Sequence, residues 1–263
     1  MSEAVLLSET DTRGVARVTL NRPDLHNAFD ERMIEALTGE LLRIGRDERT
    51  RILVLAASGK SFSAGADLNW MRRMAGYSNE QNLNDAAALA TLLSTLDTLP
   101  KPVIGRIQGA AFGGGVGLAS CCDIAIASDA ASFCLSEVRL GLIPAVISPY
   151  VINALGTRQA RRYIISGERF SALEALRFGL VHEVVAAERL DERISEMVEV
   201  LLANGPSAMA AAKDLVHSVA RGPLDAAMIA DTAERIAGIR ASSEGREGVG
   251  AFLEKRRPAW TER

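Results

Sequence analysis

The run Gly109-Ala110-Ala111-Phe112-Gly113-Gly114-Gly115-Val116-Gly117 follows an apolar stretch, Val103 to Ile107, and leads into an apolar helical segment. Read as a strand-to-helix turn, it presents nearly bare backbone amides at a helix start. Its glycines lack the Cβ atoms that would hold a ligand away from the N–H groups, and the helix dipole adds positive potential there. Such a turn suits a negatively charged oxygen, although close packing alone also explains a glycine-rich crossover. Spacing removes two phosphate-binding readings. A Walker loop ending at Gly59-Lys60-Ser61 would need glycine where Val54 stands, and a dinucleotide fingerprint would need a third glycine where Leu118 or Ser120 stands.

A second segment has the same character. Ile52 to Ala57 reads as a buried strand and runs into Ser61-Phe62-Ser63-Ala64-Gly65-Ala66-Asp67-Leu68, where small residues expose the backbone before a helix expected from Asn69. If the two strands are neighbours in one sheet, the two turns can each direct an N–H at one point. That is the geometry of an oxyanion hole.

Bulk properties narrow the class. A chain of 263 residues that is 48% hydrophobic can bury a large core, as one domain or as one domain with an appendage. With 30 Lys+Arg against 33 Asp+Glu and no long basic block, nucleic acid is not an expected partner. The N-terminus, with Glu3 and Glu9, shows no signal core, and no apolar run is long enough for a bilayer, so a cytoplasmic setting without membrane contact is expected. Cys121, Cys122 and Cys134 lie in apolar company without zinc spacing and read as buried free thiols. His26, His182 and His217 form no short ligand motif, so no metal site is expected; a Gly-x-Ser-x-Gly elbow is absent.

The organisation is α/β. Strand patterns occur at Val15 to Leu20, Arg51 to Ala57, Val103 to Ile107, Asp123 to Ala127 and Val181 to Val185. Between them, Asp30 can cap a helix over Glu31 to Asp47, Gln81 to Leu99 is rich in Ala and Leu, and Ser171 with Glu174 forms a capping box. Beyond about residue 190 the pattern is helical, over Leu190 to Ala203, Pro206 to Val219 and Leu224 to Ala241.

Three blocks, Phe62-Ser63-Ala64-Gly65-Ala66-Asp67-Leu68, Gly113-Gly114-Gly115 and Phe133-Cys134-Leu135-Ser136-Glu137-Val138-Arg139-Leu140-Gly141-Leu142-Ile143-Pro144, resemble the signature blocks of the crotonase, or enoyl-CoA hydratase/isomerase, superfamily in order and spacing. The resemblance runs from Val15-Ala16-Arg17-Val18-Thr19-Leu20-Asn21-Arg22-Pro23 to Phe252-Leu253-Glu254-Lys255-Arg256-Arg257-Pro258, almost the whole chain. It implies a spiral of β-β-α units with an acyl-CoA site over residues 1–190. A helical trimerisation region over 191–263 follows, giving a homotrimer or a homohexamer made of two trimers. It also implies that the Ala66 and Gly114 amides form the oxyanion hole, with no metal or prosthetic group; coenzyme A enters as part of the thioester substrate. His26, the Ala64-Gly65-Ala66-Asp67-Leu68 backbone, Gly113, Phe252 and Lys255 match its coenzyme A positions, Lys255 often acting from a neighbouring subunit. Asp67, as a short acidic residue ahead of a helix, reads as its cap.

Hydratases of the family usually employ two glutamates. Glu137 matches the one in the third block, and its apolar neighbours would favour the protonated form that suits proton transfer at the substrate α-carbon. The other position is Gly117, a departure from the pattern. One-glutamate members often isomerise double bonds, so a Δ3,Δ2-enoyl-CoA isomerase is a direct alternative, and a catalytically decayed acyl-CoA-binding or assembly subunit is another. The extended string from Phe133 through Ala145-Val146-Ile147-Ser148-Pro149-Tyr150 is similar to bacterial methylglutaconyl-CoA hydratases of leucine metabolism and to carboxygeranoyl-type hydratases. That likeness implies hydration, or dehydration of a 3-hydroxy-3-methylglutaryl-type thioester. A distal carboxylate on such a substrate needs a cationic or hydroxyl partner; Arg72, Arg73, Ser148 and Tyr150 are the candidates.

Overall fold

A computed structural model of the chain describes residues 4–261. One sheet of six strands takes the order β1 (Leu6–Thr10), β2 (Val15–Leu20), β3 (Ile52–Ala57), β4 (Val103–Ile107), β6 (Ile124–Ser128) and β9 (Glu183–Val185). All neighbours are parallel except β1 and β2, which form an antiparallel hairpin. A second sheet joins β5 (Ala111–Phe112), β7 (Ser132–Cys134) and β8 (Arg169–Ser171). The isolated bridges Phe29 to Ala66 and Ser63 to Ala111 extend this layer. From β4 onward the chain passes to the second sheet at β5 and again at β7, and returns to the first at β6 and at β9, each return preceded by a helix.

The burial patterns follow from this layering. Every residue of β3 is buried, because helices cover both faces of the sheet. One face packs on α1 (Glu31–Arg46), α3 (Asn79–Asp97) and α4 (Gly114–Cys121), through Leu53, Leu55, Leu37, Leu41 and Leu93 among others. The opposite face carries Ile52, Val54, Ile104 and Ile126, which meet Leu190, Ile194, Val198 and Leu202 of α7 (Leu190–Leu202). That four-residue spacing puts one apolar stripe of α7 on the sheet. The packed core therefore continues past residue 190. The tail from α8 (Pro206–Arg221) through α9 (Ala226–Ala241) to α10 (Ser243–Leu253) follows it, and no residue of α9 is buried.

Caps fall where expected. Asp30 accepts from the Met33 amide, and Ser171 with Glu174 forms the capping box of α6 (Ala172–Phe178). Helix α5 (Ser148–Ser166) is broken at Gly156, whose φ of 72° interrupts the helical backbone. The three cysteines are buried free thiols, and burial pushes Cys122 up to about 12. Several strands were not expected. β1 is an exposed edge strand without apolar alternation, while β5, β7 and β8 are two or three residues long, too short for a period to show. The reading of Gly109 to Gly117 as one strand-to-helix turn is accordingly corrected: Ala111–Phe112 is a strand of the second sheet, and the helix starts at Gly114.

Truncating Ile194 to Ala should cost about 2–5 kcal/mol in denaturant unfolding, as for a core aliphatic residue. A loss below about 0.5 kcal/mol, the range of surface changes, would place α7 outside the core.

Candidate active site

β3 and β4 pair directly, Leu53 against Val103, and the bridge from Ser63 to Ala111 keeps the segments beyond them side by side. The first turn is pinned by the segment before α1. Phe29 N–H donates to Gly65 O at 2.7 Å, and Asp67 N–H donates to Phe29 O at 2.8 Å. These bonds engage the residues on either side of Ala66 and turn its own N–H away from the ladder. Asp67 Oδ1 accepts from Asn69 and Trp70 amides at 2.8 and 3.2 Å, capping α2 (Leu68–Met74). Burial opposes ionisation of Asp67, but the two amide donors and a guanidinium outweigh it and hold its carboxyl below the ordinary range.

The second turn leaves β5. Gly113, with φ 50° and ψ −117°, donates its N–H to Cys134 O at 2.9 Å, and Gly114 opens α4. As the first residue of that helix, Gly114 has no carbonyl one turn back to receive its N–H. Among the described residues, neither the Ala66 nor the Gly114 N–H reaches a protein acceptor. The turns touch: a methyl group on Gly113 would lie 3.9 Å from Gly65 Cα, and one on Gly65 would lie 3.0 Å from Phe112 O. Both glycines have positive φ, a conformation that any side chain would strain.

Glu137 completes the group. It follows β7 at the start of a short 3-10 turn, Glu137–Leu140, and a methyl group on Gly113 would meet its Oε1 at 3.0 Å. Its other oxygen, Oε2, is buried and has no hydrogen-bond partner among the described residues. Burial raises the Glu137 carboxyl above its ordinary range, only partly offset by its own backbone N–H. Two unpaired amides and one unpartnered carboxyl oxygen thus sit on successive turns of the spiral, a set that can hold an oxyanion and move a proton beside it. Surface cavities lie elsewhere; one of about 670 Å³ is lined by Thr157, Arg158 and Arg162. Unpaired groups, not cavity size, locate this site.

Gly117 has a structural reason. A methyl group there would lie 2.6 Å from Ile147 Cγ2 and 3.5 Å from Leu93 Cδ2. Hydrocarbon fills the space a second carboxylate would need. Ile147 is buried just ahead of α5, and the sequence marks it only as one apolar residue among several. Phe29, whose ring would stand 2.7 Å from a methyl group on Gly114, was likewise not singled out.

The other expected positions divide. Gly65 gives its carbonyl to Phe29, Gly113 its amide to Cys134, and Asp67 uses both amide and carboxylate, so these residues shape the site. Ala64 gives its N–H to His26 O at 2.9 Å, which leaves a ligand its carbonyl. Leu68 opens α2 with its side chain exposed. His26 is left-handed, φ 51°, with Nδ1 3.1 Å from Ser61 Oγ. Phe252 and Lys255 stand exposed at the end of α10, which packs on α8 and α9; no hydrogen bond or ion pair among the described residues joins them to the turns.

A model of the family described as enoyl-CoA hydratase/isomerase matches residues 10–263. The 2,3-dehydroadipyl-CoA hydratase of Escherichia coli is 31% identical over 259 residues, covering 98% of this chain and 98% of the relative. The 1,2-epoxyphenylacetyl-CoA isomerase of the same organism is 32% identical over 252 residues, covering 95% of each. The crystal structure of an enoyl-CoA hydratase from Shewanella pealeana matches with a TM-score of 0.95 at 52% identity, covering 98% of this chain and 96% of that one. By these matches and by its fold, the chain belongs to the enoyl-CoA hydratase/isomerase family, the crotonase superfamily.

Proposed function

We propose that this chain catalyses the reversible hydration of a branched, carboxyl-bearing 2-enoyl-CoA, of the 3-methylglutaconyl-CoA and 3-hydroxy-3-methylglutaryl-CoA type. The observation that carries it is the buried, unpartnered Oε2 of Glu137 beside the unpaired Ala66 and Gly114 amides. The amides hold the thioester oxygen as it gains charge, which makes the β-carbon electrophilic. Water adds at the β-carbon, gives its proton to the Glu137 carboxylate, and Glu137 returns a proton to the α-carbon. Dehydration reverses these transfers. No prosthetic group is invoked, and coenzyme A enters with the substrate.

The carboxyl-bearing substrate rests on the third-block likeness, and the name of the dehydroadipyl-CoA relative is in keeping with it. Of the proposed carboxylate partners, Arg73 is already paired with Glu31 at 2.6 Å, Arg72 donates to Asn69 at 2.8 Å, and Ser148 donates to Ala145 O at 2.8 Å. Binding a distal carboxylate through Arg73 would require exchange of that exposed pair, an inexpensive step for a surface ion pair. A second reading, isomerisation, is favoured by the hydrocarbon at Gly117: Glu137 alone can remove a proton from one carbon and return it to another. Assembly as a trimer, or as two trimers, is part of the proposal. The apolar Leu224, Ile229 and Ile236 stand open on and beside α9, and Phe252 and Lys255 would serve a neighbour's coenzyme A.

Three outcomes are expected. Glu137→Gln should lose about 10²- to 10⁴-fold in turnover while keeping acyl-CoA binding; near-normal turnover removes Glu137 from the chemistry. Folding raises this carboxyl's pKa above the unfolded 4.5, so its favourable contribution is full below the unfolded value and is lost as pH rises through the folded one. Glu137→Gln should therefore melt like the parent near ~pH 4 and higher than the parent near ~pH 8; a lower melting temperature at the higher pH would contradict a desolvated carboxylate. Mass spectrometry on 3-methylglutaconyl-CoA, crotonyl-CoA and a 3-enoyl-CoA separates the reactions. Gain of one water, fastest on the branched substrate, supports hydration, whereas conversion of the 3-enoyl-CoA at unchanged mass establishes the isomerase.

A further inference from the structure

We infer that Arg22 is a positioning residue for the oxyanion hole, its guanidinium heading a hydrogen-bonded chain of two peptide groups that ends at the Ala66 N–H. The inference rests on the reading of Ala66 as an oxyanion donor. Arg22 Nη1 donates to Ala28 O at 2.7 Å. The Ala28–Phe29 peptide is planar and trans, so the Phe29 N–H leaves on the opposite side, where it donates to Gly65 O at 2.7 Å. The Gly65–Ala66 peptide repeats the arrangement and directs the Ala66 N–H outward. Both bonds are shorter than the usual 2.9–3.0 Å. A cation drawing on the first carbonyl makes the next N–H a stronger donor, and that polarisation passes along the chain.

The same guanidinium grips the far side of Ala66. Nη2 lies 2.9 Å from Asp67 Oδ2, and Asp67 N–H is bonded to Phe29 O. A third contact, Nη1 to Asp30 Oδ2 at 3.1 Å, ties in the cap of α1. Arg22 is itself held by its backbone: its N–H donates to Asn27 Oδ1 at 2.8 Å, and its carbonyl accepts from Leu25 and Asn27 amides. Its side chain is 14% exposed and that of Asp67 is 7% exposed, so solvent screens these contacts little. The planar fork serves three acceptors at once, which a lysine ammonium cannot match in one geometry.

A purely structural role, joining the caps of α1 and α2, would lower stability without altering the bound carbonyl. The readout is therefore the C=O stretch of carbon-13-labelled crotonyl-CoA, by difference infrared spectroscopy, beside kcat, KM and melting temperature. Wild-type protein should lower the stretching frequency on binding. Arg22→Lys and Asp67→Asn, the latter still able to cap α2, should each lose part of that shift and about tenfold in kcat, with KM within about threefold. Arg22→Met should lose more; where it fails to fold, the two milder variants decide. Asp30→Asn should lower the melting temperature and leave the carbonyl shift intact. Wild-type carbonyl shifts and kcat in folded Arg22→Lys and Asp67→Asn would overturn the relay. A wild-type protein that binds the thioester without any shift would instead overturn the reading of Ala66 and Gly114 as oxyanion donors.

Discussion

Two backbone amides are kept out of the hydrogen-bond ladders that surround them, and most of the local architecture serves that exclusion. An unpaired N–H inside a sheet layer costs free energy unless a ligand or water satisfies it. Around Ala66 the chain spends both faces of Phe29, at Gly65 O and Asp67 N–H, so that one amide between them has nowhere else to bond. Around Gly114 the same result comes from a helix start, because the first amides of a helix have no carbonyl one turn back. The two solutions differ in kind, yet contacts between Gly65 and Gly113 bring them to one point.

Glu137 shows the complementary constraint. Among the described residues its Oε2 has no hydrogen-bond partner, and burial makes its charged form unfavourable, a cost in stability that the proposed proton transfer would account for. Gly117 and Ile147 belong to the same trade. A second carboxylate would have added a like charge close to the first and pushed one of the pair toward its neutral form. Here the position is packed with aliphatic carbon, so in the proposed chemistry Glu137 is the one carboxyl to carry protons. That simplification favours chemistry in which removal and return of a proton occur at one carboxyl.

The site was legible in the sequence wherever its signal is local. The glycine runs, the acidic cap at Asp67 and the apolar setting of Glu137 are each marked by a few consecutive residues. The capping box of Ser171 with Glu174 and the long strands were legible for the same reason. What escaped is non-local or too short. Strands β5, β7 and β8 owe their existence to pairing with one another, not to a period of their own. Ile147 blocks Gly117 from thirty residues away, and Phe29 braces the Gly65 turn from the segment before α1. Arg22 entered the sequence reading only as part of the N-terminal likeness, because nothing in its sequence neighbours shows that it is buried between two helix caps.

These connections explain why the N-terminal segment and the glycine turn act as one unit. The backbone of Asn27 is left-handed, with φ 53°, and its side chain donates to Ser58 and Ser61 carbonyls. That conformation directs Ala28 and Phe29 along the Gly65 turn, while Ser63 Oγ returns a bond to Asn27 O at 2.9 Å. Each side of the junction thus supplies donors for the carbonyls of the other, and few are left to solvent. The Ala66 amide, the proposed oxyanion donor, is bracketed by bonds that a shift of either segment would break together. Preorganisation of this sort reduces reorganisation when charge develops on the thioester oxygen, which is the condition under which two hydrogen bonds can stabilise an enolate more than they stabilise the ground state.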